Sequence, residues 1–320
     1  MDVSIILCCY NSASRIGRTL EYLQESKVSS KLKFELILVD NNCQDDTVEV
    51  ARRIWTRKDI ALKVIEQSKP GLAYAREAGM TVASGEVYLF VDDDNWLSPD
   101  YLEGVWQVLS EKPDIAIAGG RGIAVCEGGE PDWFQDFSEG YAIGSSTKPT
   151  GEVSGIVGAG MAVRASIFDK LAARRFDGQL SGRKGSGLSA GEDFELCLAA
   201  QLLGYKCVYL PELSFQHFLP ESRLNEDYLL RMHVGFGECW PIIDLYRSVL
   251  NSQTAVGTIW MCSLCFGRSI FRSFVPISGS SLQRSVVKAR SRVIAKAWMS
   301  LGPVKSWAII TSLYKLKRGK

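Results

Sequence analysis

The sequence predicts an α/β fold: a doubly wound, mainly parallel sheet with helices on both faces, followed by a helical C-terminal region. Three observations carry this reading. Short β-branched runs alternate with amphipathic segments over residues 3–118, an acidic triplet ends one of those runs, and acidic residues are absent from residue 251 onward.

The runs fall at residues 3–7, 34–39, 62–65, 87–91 and 115–118, each short enough for a strand and bounded by polar turn-formers. Asp45-Asp46-Thr47 predicts a capped helix reaching Arg57, and Ser98-Pro99 predicts a cap followed by Pro at the first helical position. Residues 119–155 lose the rhythm. They are rich in Gly, Ser and acidic residues around Trp133-Phe134, and read as a long irregular segment, either disordered or a functional loop. Regular structure resumes at 160–163, with a helix from Ser166, a second over 193–203 and a strand at 206–210. From Asn225 the pattern is helical, with polar breaks at Asn251-Ser252 and at 278–281.

Composition bounds the chemistry. Residues 251–320 hold twelve Lys/Arg and no Asp/Glu, so a net charge of +1 conceals an acidic body and a basic tail. Nine cysteines lie in apolar stretches without the spacing of a disulfide framework, which predicts a reducing cytoplasm. Cys262-x-x-Cys265 lacks a second ligand pair and reads as two thiols on a helix face rather than a zinc site. Met1-Asp2 has an acid where an export signal needs basic residues, so the first apolar run is expected to be a strand. Residues 255–277 are apolar but contain Arg268, Arg272 and Pro276, which argues against a membrane span.

Ligands of such sheets bind beyond the carboxyl ends of the strands. The first three strands end in Cys9-Tyr10-Asn11, Asp40-Asn41-Asn42 and Glu66-Gln67-Ser68. Asp40 could accept the imide N–H of a uracil or thymine, or could form an Asx turn. The fourth strand runs into Asp92-Asp93-Asp94. Three adjacent carboxylates at a buried strand end repel one another, and a divalent cation is the simplest offset. Mg²⁺ or Mn²⁺ would suit one or two carboxylates together with diphosphate oxygens. Gly191-Glu192-Asp193-Phe194-Glu195 opens a helix. Its acids fit both the helix dipole and a general base, and composition does not choose between them. His217, one of two histidines, sits between phenylalanines in Gln216-His217-Phe218 and reads as a packed residue on its own.

Taken together, these motifs resemble glycosyltransferase family 2, inverting enzymes of the GT-A fold. The resemblance rests on the strand and Tyr-Asn turn at 3–11, the strand at 35–41, and the helix Gly71-Leu72-Ala73-Tyr74-Ala75-Arg76-Glu77-Ala78-Gly79. It extends through the Asp-x-Asp motif at 92–94 and the Glu-Asp motif at 192–193. It implies a catalytic domain over residues 1–220, with a donor half at about 1–118 and an acceptor half at about 119–220, and a basic helical extension over 221–320. It further implies that Cys9, Tyr10, Asn11, Asp40, Arg76, Asp92 and Asp93 bind the donor, with Asp40 at the base and Asp93 at the ribose. Asp94, Asp92 and His217 would hold Mg²⁺ or Mn²⁺, and Asp193 would deprotonate the acceptor. Gly160, Met161, Glu192 and Trp133 would line the acceptor side. Cys8-Cys9 stands where the family commonly has Pro-Thr, and Glu77 where Asn is usual. The Gln-x-x-Arg-Trp motif of processive synthases is absent, which implies one sugar per encounter.

The reaction implied is transfer of one sugar, from a UDP-sugar above all, to a hydroxyl of a glycan or lipid-linked acceptor in cell-surface polysaccharide synthesis. A sugar-phosphate nucleotidyltransferase would show a Gly-rich loop after the first strand, where Asn11-Ser12-Ala13-Ser14 has none. A catalytically silent glycan-binding scaffold would not need both acidic motifs. The tail interleaves Arg and Lys with Trp260, Phe266, Phe271, Trp298 and Trp307, a composition suited to an anionic membrane surface. We therefore expect a peripheral protein on the cytoplasmic face. No nucleic-acid module accompanies the charge, so no nucleic-acid partner is expected.

Overall fold

The computed structural model describes residues 1–319 apart from 146, 181, 183–187, 189 and 275–277. The predicted alternation folds as β1 (Val3–Cys9), α1 (Ile16–Gln24), β2 (Phe34–Asp40), α2 (Thr47–Ile54), β3 (Leu62–Glu66), α3 (Leu72–Val82) and β4 (Val87–Asp92). β1 pairs in parallel with β2 and β4, and β2 with β3. Side chains alternate across the pleat. Val3, Ile5 and Leu7 share a core with Ile16, Leu20 and Leu23 of α1, while Ile6 and Val39 face α3 at Gly79, where a Cβ has no room. Helices therefore cover both faces.

The chain continues through β5 (Asn95–Leu97), α4 (Tyr101–Glu111), β6 (Ile115–Cys126), α5 (Phe134–Phe137), β7 (Gly151–Val153), β8 (Ala162–Arg164), α6 (Ser166–Ala173), α7 (Glu192–Leu202) and β9 (Lys206–Leu219). The sheet order is β3-β2-β1-β4-β8-β6-β9-β5, with β7 paired to β9. β6 and β9 run parallel, whereas β8 joins β4 and β6 antiparallel and β5 joins β9 antiparallel.

Several boundaries differ from the sequence expectation. β6 runs on to Cys126 and β9 to Leu219, because Arg121–Cys126 pairs residue for residue with Ser214–Leu219. The glycines that suggested a loop are needed for close approach: a Cβ on Gly120 would lie 2.2 Å from the Leu213 carbonyl oxygen. The irregular segment is thus shorter than predicted and contains α5 and β7. α2 ends at Ile54, before Arg57. At its start Asp45, not Asp46, accepts from Thr47 N and Oγ1, at 3.2 and 2.5 Å. α4 begins at Tyr101, so Pro99 precedes the helix and no side chain caps it.

Glu35 ties the amino ends of three strands together. Its Oε1 accepts from Ser4 Oγ, Ser84 N and Ser84 Oγ, each at 2.7 Å, and Ser4 Oγ accepts from Gly85 N at 2.8 Å. Burial alone would raise the Glu35 pKa, but the hydrogen bonds from Ser4 and Ser84, helped by Lys63, outweigh it and hold the carboxyl below its usual range. A depressed carboxylate stabilises the fold above its unfolded pKa, and that contribution is lost as pH falls through the folded value. Glu35→Ala is expected to cost about 1–3 kcal/mol at neutral pH, with a smaller deficit in acid. Urea unfolding of both proteins at neutral and acidic pH checks this; equal midpoints at neutral pH would refute it.

The described chain divides into two compact units, Met1–Asp169 with Tyr205–Glu221, and Lys170–Gly204 with Ser222–Lys320. The second unit holds α8 (Glu226–Asn251), α9 (Ala255–Phe274) and α10 (Ser281–Arg318), with breaks where the polar interruptions predicted them. Asn225 caps α8 through Tyr228 N, and Ser280 with Gln283 forms a capping box on α10. Described residues of 170–204 contact these helices within the same unit. Arg174 Nη1 donates to the Leu316 carbonyl at 2.6 Å, and Tyr246 OH donates to Glu195 at 2.6 Å. Among the described residues no helix is long and apolar enough to cross a membrane.

Candidate active site

The carboxyl ends of β1, β2 and β4 meet in register, Cys9 beside Asp40 and Cys8 beside Asp92. Just beyond β1, Tyr10 is exposed. Asn11 takes a left-handed conformation (φ 49°), and its Oδ1 accepts from Gln44 N at 2.8 Å. Asp40 Oδ1 accepts from Cys43 N at 2.8 Å, which is the Asx-type turn that the sequence left open. Burial pushes the Cys8 thiol up to about 12, with Arg76 opposing and Asp92 and Asp93 adding. Burial likewise raises Cys9 well above its ordinary value, with Asp93 adding. Both are therefore neutral thiols at physiological pH. Arg76, buried on α3, lies over the Phe90 ring at 5.0 Å and against Gly158. The structure thus gathers Cys8, Arg76 and the acidic triplet at one strand end.

The three acids take different positions. Asp93 turns inward: its Oδ2 accepts from Ser12 Oγ and from Arg15 Nη2, the latter at 2.6 Å, and its carbonyl accepts from Thr19 Oγ1 at 2.8 Å. Burial and the neighbouring Asp94 charge raise its pKa, against the lowering effect of Arg15. Asp92 is half-buried, and its carboxylate has no hydrogen-bond partner among the described residues. Asp94 is buried, accepts from Asn95 Nδ2 at 3.2 Å, and lies 3.6 Å from His217 Nε2 through its Oδ1.

The pairing of β5 with β9 produces that last contact. Asn95 stands opposite His217 in register, and Phe218 N donates to the Asp94 carbonyl at 2.9 Å. His217 Nδ1 lies 2.8 Å from the Tyr141 carbonyl oxygen. A carbonyl only accepts, so Nδ1 carries a proton and Nε2 is turned toward Asp94, where a neutral ring would offer its lone pair to a cation. A ligating histidine commonly has its other ring nitrogen held in this way. The 3.6 Å gap is close to the ~3 Å between adjacent ligands of an octahedral ion at ~2.1 Å. The pair therefore fits a shared divalent cation. Among the described residues no three His, Cys, Asp or Glu side chains converge as a metal cage. Such a cation would take its remaining ligands from donor and water.

The residues expected to line an acceptor side lie in different settings. The Met161 side chain is fully buried, and its carbonyl accepts from Phe90 N at 2.9 Å. The Gly160 carbonyl accepts from Tyr101 OH at 2.7 Å. Trp133 clusters with Phe134, Phe137 and Tyr141 at centroid distances of 6.4, 6.4 and 6.5 Å, and so braces the residue whose carbonyl orients His217.

In the second unit, Gly191 (φ 103°) turns the chain into α7. Glu192 and Asp193 are half-buried in its first turn, and Asp193 Oδ1 accepts from Phe194 N at 2.8 Å. Glu195 is different. It is buried and accepts from Gln179 N, Leu180 N and Tyr246 OH at 2.7, 2.8 and 2.6 Å, so it fixes the preceding segment.

Sequence reasoning missed Asn41, whose buried amide donates to the Gln67 and Lys69 carbonyls and accepts from Gly71 N, fixing the turn from β3 into α3. Its place one residue after a strand end was the available signal. Ser12 and Arg15, the partners of Asp93, were also missed, and the Tyr141 carbonyl leaves no trace in composition.

The mixed, mostly parallel sheet with helices on both faces, its acidic turn after β4 held against His217 of β9 through β5, has the GT-A fold of the solved structures it superposes on. The model for glycosyl transferase family 2 matches residues 4–172, more than half of the chain, and the chain belongs to that family. A glucosyl-dolichyl phosphate glucuronosyltransferase of Haloferax volcanii is 23% identical over 251 residues, 77% of this chain and 78% of the relative. Other curated relatives share a shorter stretch, about a third of their own length. The structure of Staphylococcus aureus TarS 1-349 in complex with UDP-GlcNAc superposes with a TM-score of 0.59 at 18% identity, covering 100% of this chain and 91% of that one. A Pyrobaculum calidifontis mannosyltransferase in complex with GDP-Man and Mn²⁺ gives 0.56 at 14% identity, covering 99% and 87%. At these identities the structures speak for the fold.

Proposed function

We propose that this glycosyltransferase moves one sugar from a nucleotide-sugar donor, UDP-linked in our reading, to a hydroxyl of a glycan or lipid-linked acceptor with inversion at the anomeric carbon. The observation that carries the reading is the juxtaposition of Asp94 and His217, 3.6 Å apart. Mg²⁺ or Mn²⁺ bound there would stabilise the charge developing on the departing diphosphate. The residues do the rest. Asp40, Tyr10 and Asn11 hold the nucleoside end, and Asp92, the half-buried carboxylate of the triplet, faces the donor. Asp93 supports that edge through Ser12 and Arg15. Arg76 supplies positive charge where the triplet alone would repel a diphosphate. Asp193 accepts the acceptor hydroxyl proton as its oxygen bonds to the anomeric carbon and the carbon–diphosphate bond breaks on the opposite face. Glu192, Gly160 and Trp133 shape the acceptor side. The Mn²⁺-bound mannosyltransferase and the UDP-GlcNAc-bound TarS share this fold, which supports a metal-assisted nucleotide-sugar reaction, in our reading one of surface polysaccharide synthesis. The basic tail suits a lipid-linked acceptor met at the cytoplasmic membrane face.

The test is a panel of nucleotide sugars incubated with Mn²⁺, with Mg²⁺ or with EDTA, scored for nucleoside diphosphate release. We expect one donor to be turned over, most rapidly for a uridine nucleotide, and EDTA to stop it. Failure of every donor to bind or react under any metal would overturn the proposal.

A further inference from the structure

The sharpest unassigned feature is the outer face of α9. Its inner side is buried, with Thr258 bonded to Tyr314 OH of α10 at 2.9 Å and Cys262 packed inside. Trp260, Leu264 and Phe271 follow at i, i+4 and i+11, on the opposite side of a helix with 3.6 residues per turn. They are 66%, 48% and 67% exposed. A helix packed only on its own fold would carry polar residues there. α10 repeats the pattern where Gly302 (φ 63°) and Pro303 kink it: Met299, Val304 and Trp307 are 66%, 81% and 49% exposed. Large apolar side chains concentrated in this way mark a surface that something covers.

Charge identifies the occupant. Exposed Arg268 flanks the α9 face, exposed Lys296 and Lys305 flank the α10 kink, and residues 251–320 contain no acid. A second copy would bring the same positive charge against this surface, whereas an anionic lipid headgroup layer complements it. Among the described residues no helix is fit to span, so the contact lies in the interfacial plane, where Trp side chains are favoured. We infer that Trp260, Leu264 and Phe271 of α9, with Met299, Val304 and Trp307 of α10, insert into the interface of an anionic membrane while the flanking Arg and Lys engage its headgroups. This deepens the membrane contact of the proposed function, but the apolar face stands without the glycosyl-transfer reading.

The test is flotation of the full chain with phosphatidylcholine vesicles, with and without phosphatidylglycerol. The wild-type protein is expected to float with the anionic vesicles only. The triple variant Trp260→Ser, Leu264→Ser, Phe271→Ser, which alters only exposed side chains, is expected to lose binding by ~10-fold or more. Circular dichroism and donor binding measured without vesicles should match wild type, so a failure of the enzyme reading shows separately. Three results would each overturn the inference: wild type that stays down with anionic vesicles, a triple variant that floats as well as wild type, or a concentration-dependent dimer that the triple variant abolishes.

Discussion

Asp193→Asn is expected to lower sugar transfer by ~10² or more, the usual loss when a general base is removed, while donor binding stays at the wild-type level. The substitution suits the question. Asn keeps an oxygen that can accept from Phe194 N, as Asp193 Oδ1 does at 2.8 Å, so that backbone contact is retained. What disappears is the carboxylate that can take a proton. The same turn supplies the control. Glu195 accepts three hydrogen bonds that hold the preceding segment and the Tyr246 hydroxyl, so Glu195→Gln should reduce thermal stability and lower activity only as folded protein is lost. Single-turnover transfer and donor-binding calorimetry on both variants separate the two roles. An Asp193→Asn enzyme that transfers at the wild-type rate would remove Asp193 from the chemistry.

That contrast also shows where the sequence stopped being informative. Glu192, Asp193 and Glu195 are equally acidic and equally close to a helix start, and the dipole favours all three. Only the fold distinguishes them, by setting Glu195 against Tyr246 of a helix some fifty residues later. The sheet was legible for the opposite reason. The strands at 3–7, 34–39 and 87–91 carry their signal locally in β-branched runs, and they form the parallel ladders of β1 with β2 and β4. β5 was not legible: Asn95-Trp96-Leu97 is too short for periodicity, and it becomes a strand only because β9 extends past Leu210 to meet it. The proximity of His217 to Asp94 follows from that pairing. The family resemblance anticipated a histidine ligand there, whereas the residue pattern alone read it as packed between phenylalanines. The triplet shows a third case, since adjacent identical residues at a strand end and turn point in different directions. Asp93 went inward to Ser12 and Arg15.

Substitution of Asp94 and His217, the proposed metal ligands, gives the second large effect. Asp94→Asn should abolish metal-dependent donor binding, and His217→Ala should weaken it, with Mn²⁺ affinity falling by ~10²-fold or more and by ~10-fold or more respectively, since even outer partners of metal ligands are worth 10- to 100-fold. The order follows from charge. Asp94 supplies the anion that draws in a dication, and without it an imidazole offers at most a lone pair and no compensating charge. Asn preserves volume at a buried position and can still accept from Asn95 Nδ2, so loss of fold does not account for loss of metal. Mn²⁺ binding followed by electron paramagnetic resonance, with and without nucleoside diphosphate, reads the site independently of turnover. If the cation is shared between protein and diphosphate, the nucleotide should tighten Mn²⁺ binding in wild type and tighten it less in each variant. Wild-type Mn²⁺ affinity in Asp94→Asn would move the metal away from the triplet, and wild-type affinity in His217→Ala would leave the histidine as a packing residue held by Tyr141.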